Sequence, residues 1–207
     1  LTGETLEHII SDYRQRNKIV PVETTISLVR EIASALDYAH ARGMIHRDIK
    51  PANILYDSHD RAILTDFGIA RLVDTSNLTA EGMTIGTPAY MSPEQAQGVE
   101  IDHHADIYSL GIIAYELITG TPPYGDGTLS VMLQHINAPI PQISDTLAMP
   151  NESLDAVINR VLAKIANYRY PTATEFVEEL INALQNKPLN NPPQITKVLE
   201  SVEAIPE

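Results

Sequence analysis

The chain has 207 residues, 43% of them hydrophobic, which suits one substantial core in an ordinary globular domain. Fourteen basic residues against 27 acidic ones leave a net charge of −13, which disfavours attraction to nucleic-acid phosphates or an anionic membrane surface. Cysteine is absent, so there is neither a disulfide framework nor a thiolate zinc site, as a reducing cytoplasm would allow, and no apolar run approaches a membrane span. The chain starts at Leu1 rather than Met, without a signal-like segment, and reads as an excerpt of something longer.

In chain order, the first strong element runs from Pro21 to His40. Ile26, Val29, Ile32, Ala33, Leu36 and Ala39 recur there at helical spacing, with Pro21 at the start and Gly43 just past the end. A polar loop, His46-Arg47-Asp48-Ile49-Lys50-Pro51-Ala52-Asn53, follows. The apolar run Ile54-Leu55-Tyr56 then predicts a strand that pairs with Ala62-Ile63-Leu64-Thr65 across the turn Asp57-Ser58-His59-Asp60, ending at Asp66-Phe67-Gly68. Ile107 to Thr119 is apolar almost all round, which predicts a helix buried on every side. His103 and His104 just before it are adjacent, so they are expected to point apart and to be surface residues rather than metal ligands. Asn151 suits the cap of a helix carrying Leu154, Val157, Ile158, Val161 and Leu162. Thr172 with Glu175 makes a capping-box pattern before Phe176, Val177, Leu180 and Leu184. The expected architecture is mainly α, with a small β-hairpin at the site. After Gln185 the composition shifts to Asn and Pro, so residues 1–185 read as the domain and 186–207 as a linker or tail, with a short helix near Thr196 to Val202 left open.

The loop and hairpin carry the chemistry. Asn53 lies five residues after Asp48, and the hairpin carries Asp66 back toward it. A carboxylate and an amide carbonyl are hard oxygen donors that suit Mg2+, which keeps the rest of its shell for phosphate and water. Phosphoryl transfer passes through a loose transition state, so Asp48 need only orient a hydroxyl and take its proton late. Lys50 is placed to offset developing negative charge. Asp48 could instead cap a turn, and Asp66 likewise, but their order and spacing with Lys50 and Asn53 favour an ATP-dependent kinase site.

These residues resemble the eukaryotic-type protein kinase family, whose ordered motif is His-Arg-Asp, Asn five residues after the Asp, Asp-Phe-Gly and Ala-Pro-Glu. The resemblance continues through Gly86-Thr87-Pro88-Ala89-Tyr90-Met91-Ser92-Pro93-Glu94, Asp106-Ile107-Tyr108-Ser109-Leu110-Gly111 and Arg169-Tyr170-Pro171-Thr172-Ala173. Lys50 with Thr87 is similar to the Ser/Thr-specific branch, and the wording around Glu94 and Asp106 to its bacterial members.

The resemblance implies Asp48, Lys50 and Asn53 as catalytic residues, Asn53 and Asp66 as Mg2+ ligands, and Lys50, Asn53, Leu55 and Asp66 around ATP. Leu55 would floor the adenine pocket, a place where a plain core leucine fits equally well. Asp66 to Glu94 reads as an activation segment in which a phosphorylated residue docks on Arg47. Thr75, Ser76, Thr79 and Thr84 are candidates, with Thr79 first. Glu81 either mimics a phosphate in part or is a solvated charge. Thr87 is expected near Asp48 and Lys50. Glu94 and Arg169 resemble a structural ion pair, and Asp106 the carboxylate that anchors the catalytic loop. The departures are Ser92 in the Ala-Pro-Glu motif and Ile165-Ala166-Asn167 before Arg169, where relatives carry Asp-Pro.

Before His46 the only glycines are Gly3 and Gly43 and the only lysine is Lys18. The family's Gly-rich loop, strand lysine and partner glutamate therefore have no candidates, and "LTGETLEHII" resembles the segment just after the interlobe hinge. The resemblance thus implies the large C-terminal lobe, with negligible activity by itself. Its substrates would be Ser/Thr-containing proteins, with no nucleic-acid partner and with a dimer for phosphorylation in trans among the expected states. The expected location is the cytoplasm, or the cytoplasmic side of a membrane-anchored protein. A catalytically silent binding module is the competing class, and small-molecule phosphotransferases come third.

Overall fold

The computed structural model describes residues 3–57, 61–66, 88–125, 127–146 and 151–190. A short strand β1 (Gly3–Thr5) leads into helix α1 (Leu6–Gln15), whose N-terminus is capped by Thr5: its Oγ1 accepts from the His8 N–H at 3.3 Å. Helix α2 (Val22–His40) follows. Strands β2 (Ile54–Asp57) and β3 (Ala62–Leu64) form the expected hairpin, in the register Ile54 opposite Leu64, Leu55 opposite Ile63 and Tyr56 opposite Ala62. The sheet has a third member that the apolar pattern did not reveal, since β1 pairs antiparallel with β2 and sets Thr5 opposite Leu55. Three residues of mixed polarity carry no strand signature, and β1 exists through its pairing.

The rest is helical: α3 (Pro93–Gln97), α4 (His104–Thr119), α5 (Thr128–Asn137), α6 (Glu152–Val161) and α7 (Ala173–Leu184). Every residue of α4 from Ala105 to Ile118 is buried, as its all-round apolarity predicts, and the helix packs against α2, α6 and α7. Gly111 permits that packing. A Cβ there would stand 2.7 Å from Val161 Cγ1 and 3.0 Å from Leu162 Cδ2, so α4 and α6 approach closely only because the position is bare. Asn151 caps α6 through its Oδ1, which accepts from the Leu154 N–H at 3.0 Å. Thr172 caps α7 by accepting from the Glu175 N–H at 3.1 Å, while Asp37 of α2 accepts from the Ala173 and Thr174 N–H groups, both at 2.9 Å. The first turn of α7 is thereby tied to α2.

A reciprocal capping box occurs on α3, where Ser92 Oγ accepts from the Gln95 N–H and the Gln95 side chain accepts from the Ser92 N–H at 2.9 Å. Ser92 is therefore more than a minor departure from alanine, because its hydroxyl starts the helix. Ile165-Ala166-Asn167 leads into a single 3-10 turn, Ala166–Tyr168, with Ile165 and Tyr168 exposed. Beyond α7 the chain folds back, with Leu189 partly buried against the core and the Asn190 N–H donating to Glu179 Oε2 at 3.2 Å. No helix among the described residues is long and apolar enough to cross a membrane.

Candidate active site

The loop after α2 is suspended from α4. The buried carboxylate of Asp106 accepts from the His46 N–H (2.8 Å to Oδ2) and the Arg47 N–H (2.8 Å to Oδ1), and it meets His40 Nε2 at 2.8 Å. Arg47 adopts a left-handed backbone, φ 65°, that non-glycine residues rarely hold. Its N–H is fixed by Asp106 and its carbonyl accepts from Gln95 Nε2 at 2.7 Å, so both flanking peptide groups are pinned. The ring of His46, fully buried, bridges to the strand side: Nε2–H donates to the Thr65 carbonyl at 2.9 Å, which leaves Nδ1 to accept a long bond from the Asp48 N–H at 3.4 Å.

On this frame three side chains converge. Lys50 Nζ lies 2.9 Å from Asp48 Oδ2, and Asn53 Nδ2 donates to the same oxygen at 3.0 Å and to the Asp48 carbonyl at 2.8 Å. The amide nitrogen of Asn53 is thus committed to Asp48, and its carbonyl oxygen is the end a hard cation takes. Asn53 is tied to the hairpin in turn, because its backbone carbonyl accepts from both the N–H (2.9 Å) and the hydroxyl (3.1 Å) of Thr65. Asp66, the next residue, is exposed and also left-handed, φ 56°. Asp48, Lys50 and Asn53 are therefore brought together in direct contact, and Asp66 is held one residue from an anchor on Asn53. Leu55 lies at the centre of the three-stranded sheet, partly buried between Thr5 and Ile63. Phe67, Gly68, Thr75, Ser76, Thr79, Glu81, Thr84 and Thr87 lie outside the described residues.

Arg169 joins the far end of that segment to the late helices. It forms a two-pronged pair with Glu94, Nη1 to Oε1 at 2.7 Å and Nη2 to Oε2 at 2.8 Å, and it also donates to the carbonyls of Ala163, His104 and Lys164. Burial pushes the Glu94 carboxyl up, but the hydrogen bonds and charge of Arg169 outweigh it and hold the group below its usual range. A second buried carboxylate, Glu116, accepts from Arg14 Nη2 at 2.8 Å and from the Tyr90 hydroxyl at 2.6 Å. Burial raises Glu116, with Tyr90 and Arg14 opposing the rise. Arg14, Tyr90 and Glu116 line a polar cleft of about 530 Å³ that reaches Pro51 of the loop after α2.

Sequence reasoning missed Gln95, His40 and the Tyr90-Glu116-Arg14 cluster. The Ser92-x-x-Gln95 spacing could have flagged the first as a capping box. The two histidines at the start of α4 also differ from expectation. Their rings lie 4.1 Å apart instead of diverging, because His104 turns back so that its Nδ1 and its N–H both meet Asp102, while His103 Nε2 meets the Pro171 carbonyl. Both are only partly exposed.

The protein kinase domain family model matches residues 1–200. This chain belongs to the protein kinase family. Among curated relatives, the serine/threonine-protein kinase PknB of Mycobacterium leprae is 41% identical over 204 residues, covering 97% of this chain and 31% of the relative. PknB of Mycobacterium tuberculosis is 40% identical over 182 residues, 86% of this chain and 28% of the relative. A probable serine/threonine-protein kinase of Clostridium acetobutylicum is 36% identical over 211 residues, 98% of this chain and 30% of the relative. The chain thus belongs to the eukaryotic-type Ser/Thr branch of that family, on the bacterial side, with the helix-rich fold of the C-terminal lobe. It spans about a third of the length of these relatives.

Proposed function

We propose that this lobe serves an enzyme that transfers the γ-phosphoryl group of MgATP to Ser or Thr hydroxyls of proteins. The observation that carries this reading is the convergence of Lys50 and Asn53 on one carboxylate oxygen of Asp48, in a loop hung from the central helix. In that position Asp48 orients the acceptor hydroxyl and takes its proton, and Lys50 shifts toward the developing charge. The donor set of Asn53 and Asp66, an amide oxygen and an exposed carboxylate, fits a hard divalent cation, which when bound neutralises phosphate charge. Leu55, from the sheet, suits the face of an adenine ring. Arg47, with its backbone held on both sides, suits a phosphate on the activation segment, with Thr79 and then Thr84 as the residues to carry it. Thr87 is assigned to the Asp48 and Lys50 side of the site.

The test is Asp48→Asn in the full-length kinase. Transfer to a Ser/Thr peptide should fall by roughly 10²–10⁴-fold with the thermal midpoint nearly unchanged. A variant with undiminished turnover would remove Asp48 from the mechanism. A second reading is a catalytically silent docking module that presents the same helices to a partner. On either reading the 207-residue chain by itself should label peptide negligibly, since positioning supplies most of the catalysis. Activity of the full-length kinase separates the two readings.

A further inference from the structure

At the entrance to α4, remote in role from the catalytic loop, Asp102, His103 and His104 present a carboxylate oxygen and two imidazole nitrogens that all lie within 4.8 Å of one another. His104 Nδ1 is 3.0 Å from both oxygens of Asp102. His103 Nε2 is 3.1 Å from the Pro171 carbonyl. Donation to that carbonyl puts the ring proton on Nε2 and leaves Nδ1 of His103 with its lone pair, the arrangement that prepares a histidine for a cation. A separate feature beside the cluster points the same way. The ring of His40 packs edge-on to His103 with centroids 5.6 Å apart, and its Nδ1 is buried without a hydrogen-bond partner among the described residues. The His40 side chain is only 9% exposed, so bulk water does not account for that atom, and an unpaired buried nitrogen marks the neighbourhood of a bound water or ion.

We infer that Asp102, His103 and His104 form a binding site for a borderline divalent cation of the Zn2+ type. Two imidazoles and one carboxylate are the donors such an ion selects, whereas Mg2+ and Ca2+ require an oxygen cage that is not built here. Around tetrahedral Zn2+ neighbouring donors stand about 3.3 Å apart, which follows from bond lengths of about 2.0–2.1 Å. The Asp102 and His104 pair already lies close to that spacing. On binding, the His104 ring proton passes from Nδ1, where it faces Asp102, to Nε2, which frees the Nδ1 lone pair. His103 closes the remainder by side-chain rotation. Asp102 is half exposed and gives the ion access, and water fills the fourth position.

The experiment is calorimetric titration of the full 207-residue chain with Zn2+ in an excess of Mg2+. One equivalent should bind without displacement by Mg2+, and His103→Ala and His104→Ala should each weaken it by at least about tenfold. His8→Ala should change nothing, although His8 pairs with Glu4 at 3.0 Å on α1 and offers another imidazole beside a carboxylate. Should an alanine variant fail to fold, imidazole ¹⁵N shifts of the unaltered chain provide the second measure, with His103 and His104 moving on Zn2+ addition and His8 not. Absence of Zn2+ binding, an affinity unchanged by His104→Ala, or shifts confined to other histidines would overturn the site.

Discussion

At the scale of single residues, the side chain that organises the loop most is one that does no chemistry. Asp106 is 1% exposed and accepts two backbone N–H groups, so replacing one oxygen with an amide NH2 sets donor against donor in a buried place. Asp106→Asn should cost about 2–3 kcal/mol, the penalty for an unsatisfied buried group next to a lost charge-assisted bond. Urea unfolding would measure it, and an unchanged midpoint would mean that the loop is held by something else. The left-handed backbone of Arg47 costs about 1–2 kcal/mol on its own, which Asp106 and Gln95 offset by holding its two sides. Asp48, Lys50, Asn53 and Asp106 were legible in the sequence because each sits in an ordered string of residues. Gln95 and His40 were not, because they act on atoms 48 and 66 positions away, and no local pattern encodes such a contact. Nor does adjacency in sequence show where rings turn, which is why the rings of His103 and His104 lie together where divergence was expected.

At the scale of elements, apolar periodicity and caps made four helices legible, while α1, α3 and α5 carried no expectation of their own and one strand is defined by its neighbour. Helices α2, α4, α6 and α7 follow their patterns nearly residue for residue. Strand β1 does not, since pairing with β2 creates it, and no pattern in the chain announced that α4 and α6 nearly touch. Gly111 tests that contact against helix propensity. In an open helix, alanine would be preferred to glycine by about 1 kcal/mol. Here the added methyl meets Val161 Cγ1 at 2.7 Å, and overpacking of a tight core costs about 1–3 kcal/mol. Gly111→Ala should therefore lower stability, by about 1 kcal/mol net, in denaturant melts. A raised midpoint would show that α6 yields easily and that the glycine is there for another reason.

At the scale of the whole molecule, two buried polar centres knit the late helices to the turn Pro88–Tyr90 and the start of α3. One is Arg169 with Glu94. The other surrounds His135 of α5, fully buried, whose Nδ1 meets the Tyr108 hydroxyl of α4 at 2.8 Å and whose carbonyl accepts from Lys164 Nζ at 2.8 Å. The Tyr124 hydroxyl accepts from the same amine at 2.9 Å. Burial and the charge of Lys164 push His135 down to about 4, against weaker opposition from the backbone of Ala89 and Pro88. Burial, then the charge of Arg169, lowers Lys164 to about 8, while burial raises Tyr108 and Tyr124. The linkage has a definite sign. Between about pH 6.5 and 4 the unfolded chain binds a proton at His135 that the folded chain refuses, so stability falls as pH falls through that window. Lys164 acts above the window, where stability rises from about pH 8 toward 10.5, and Glu94 acts below it, its contribution fading as acid protonates it. From about pH 7 to pH 5 the His135 contribution amounts to up to about 2 kcal/mol. His135→Asn keeps an acceptor for Tyr108 without a titrating ring, so its urea midpoint should lose markedly less between those two pH values than that of the unaltered chain. Equal losses in both proteins would place the acid sensitivity of this lobe elsewhere and leave the Tyr108-His135-Lys164 network as packing alone.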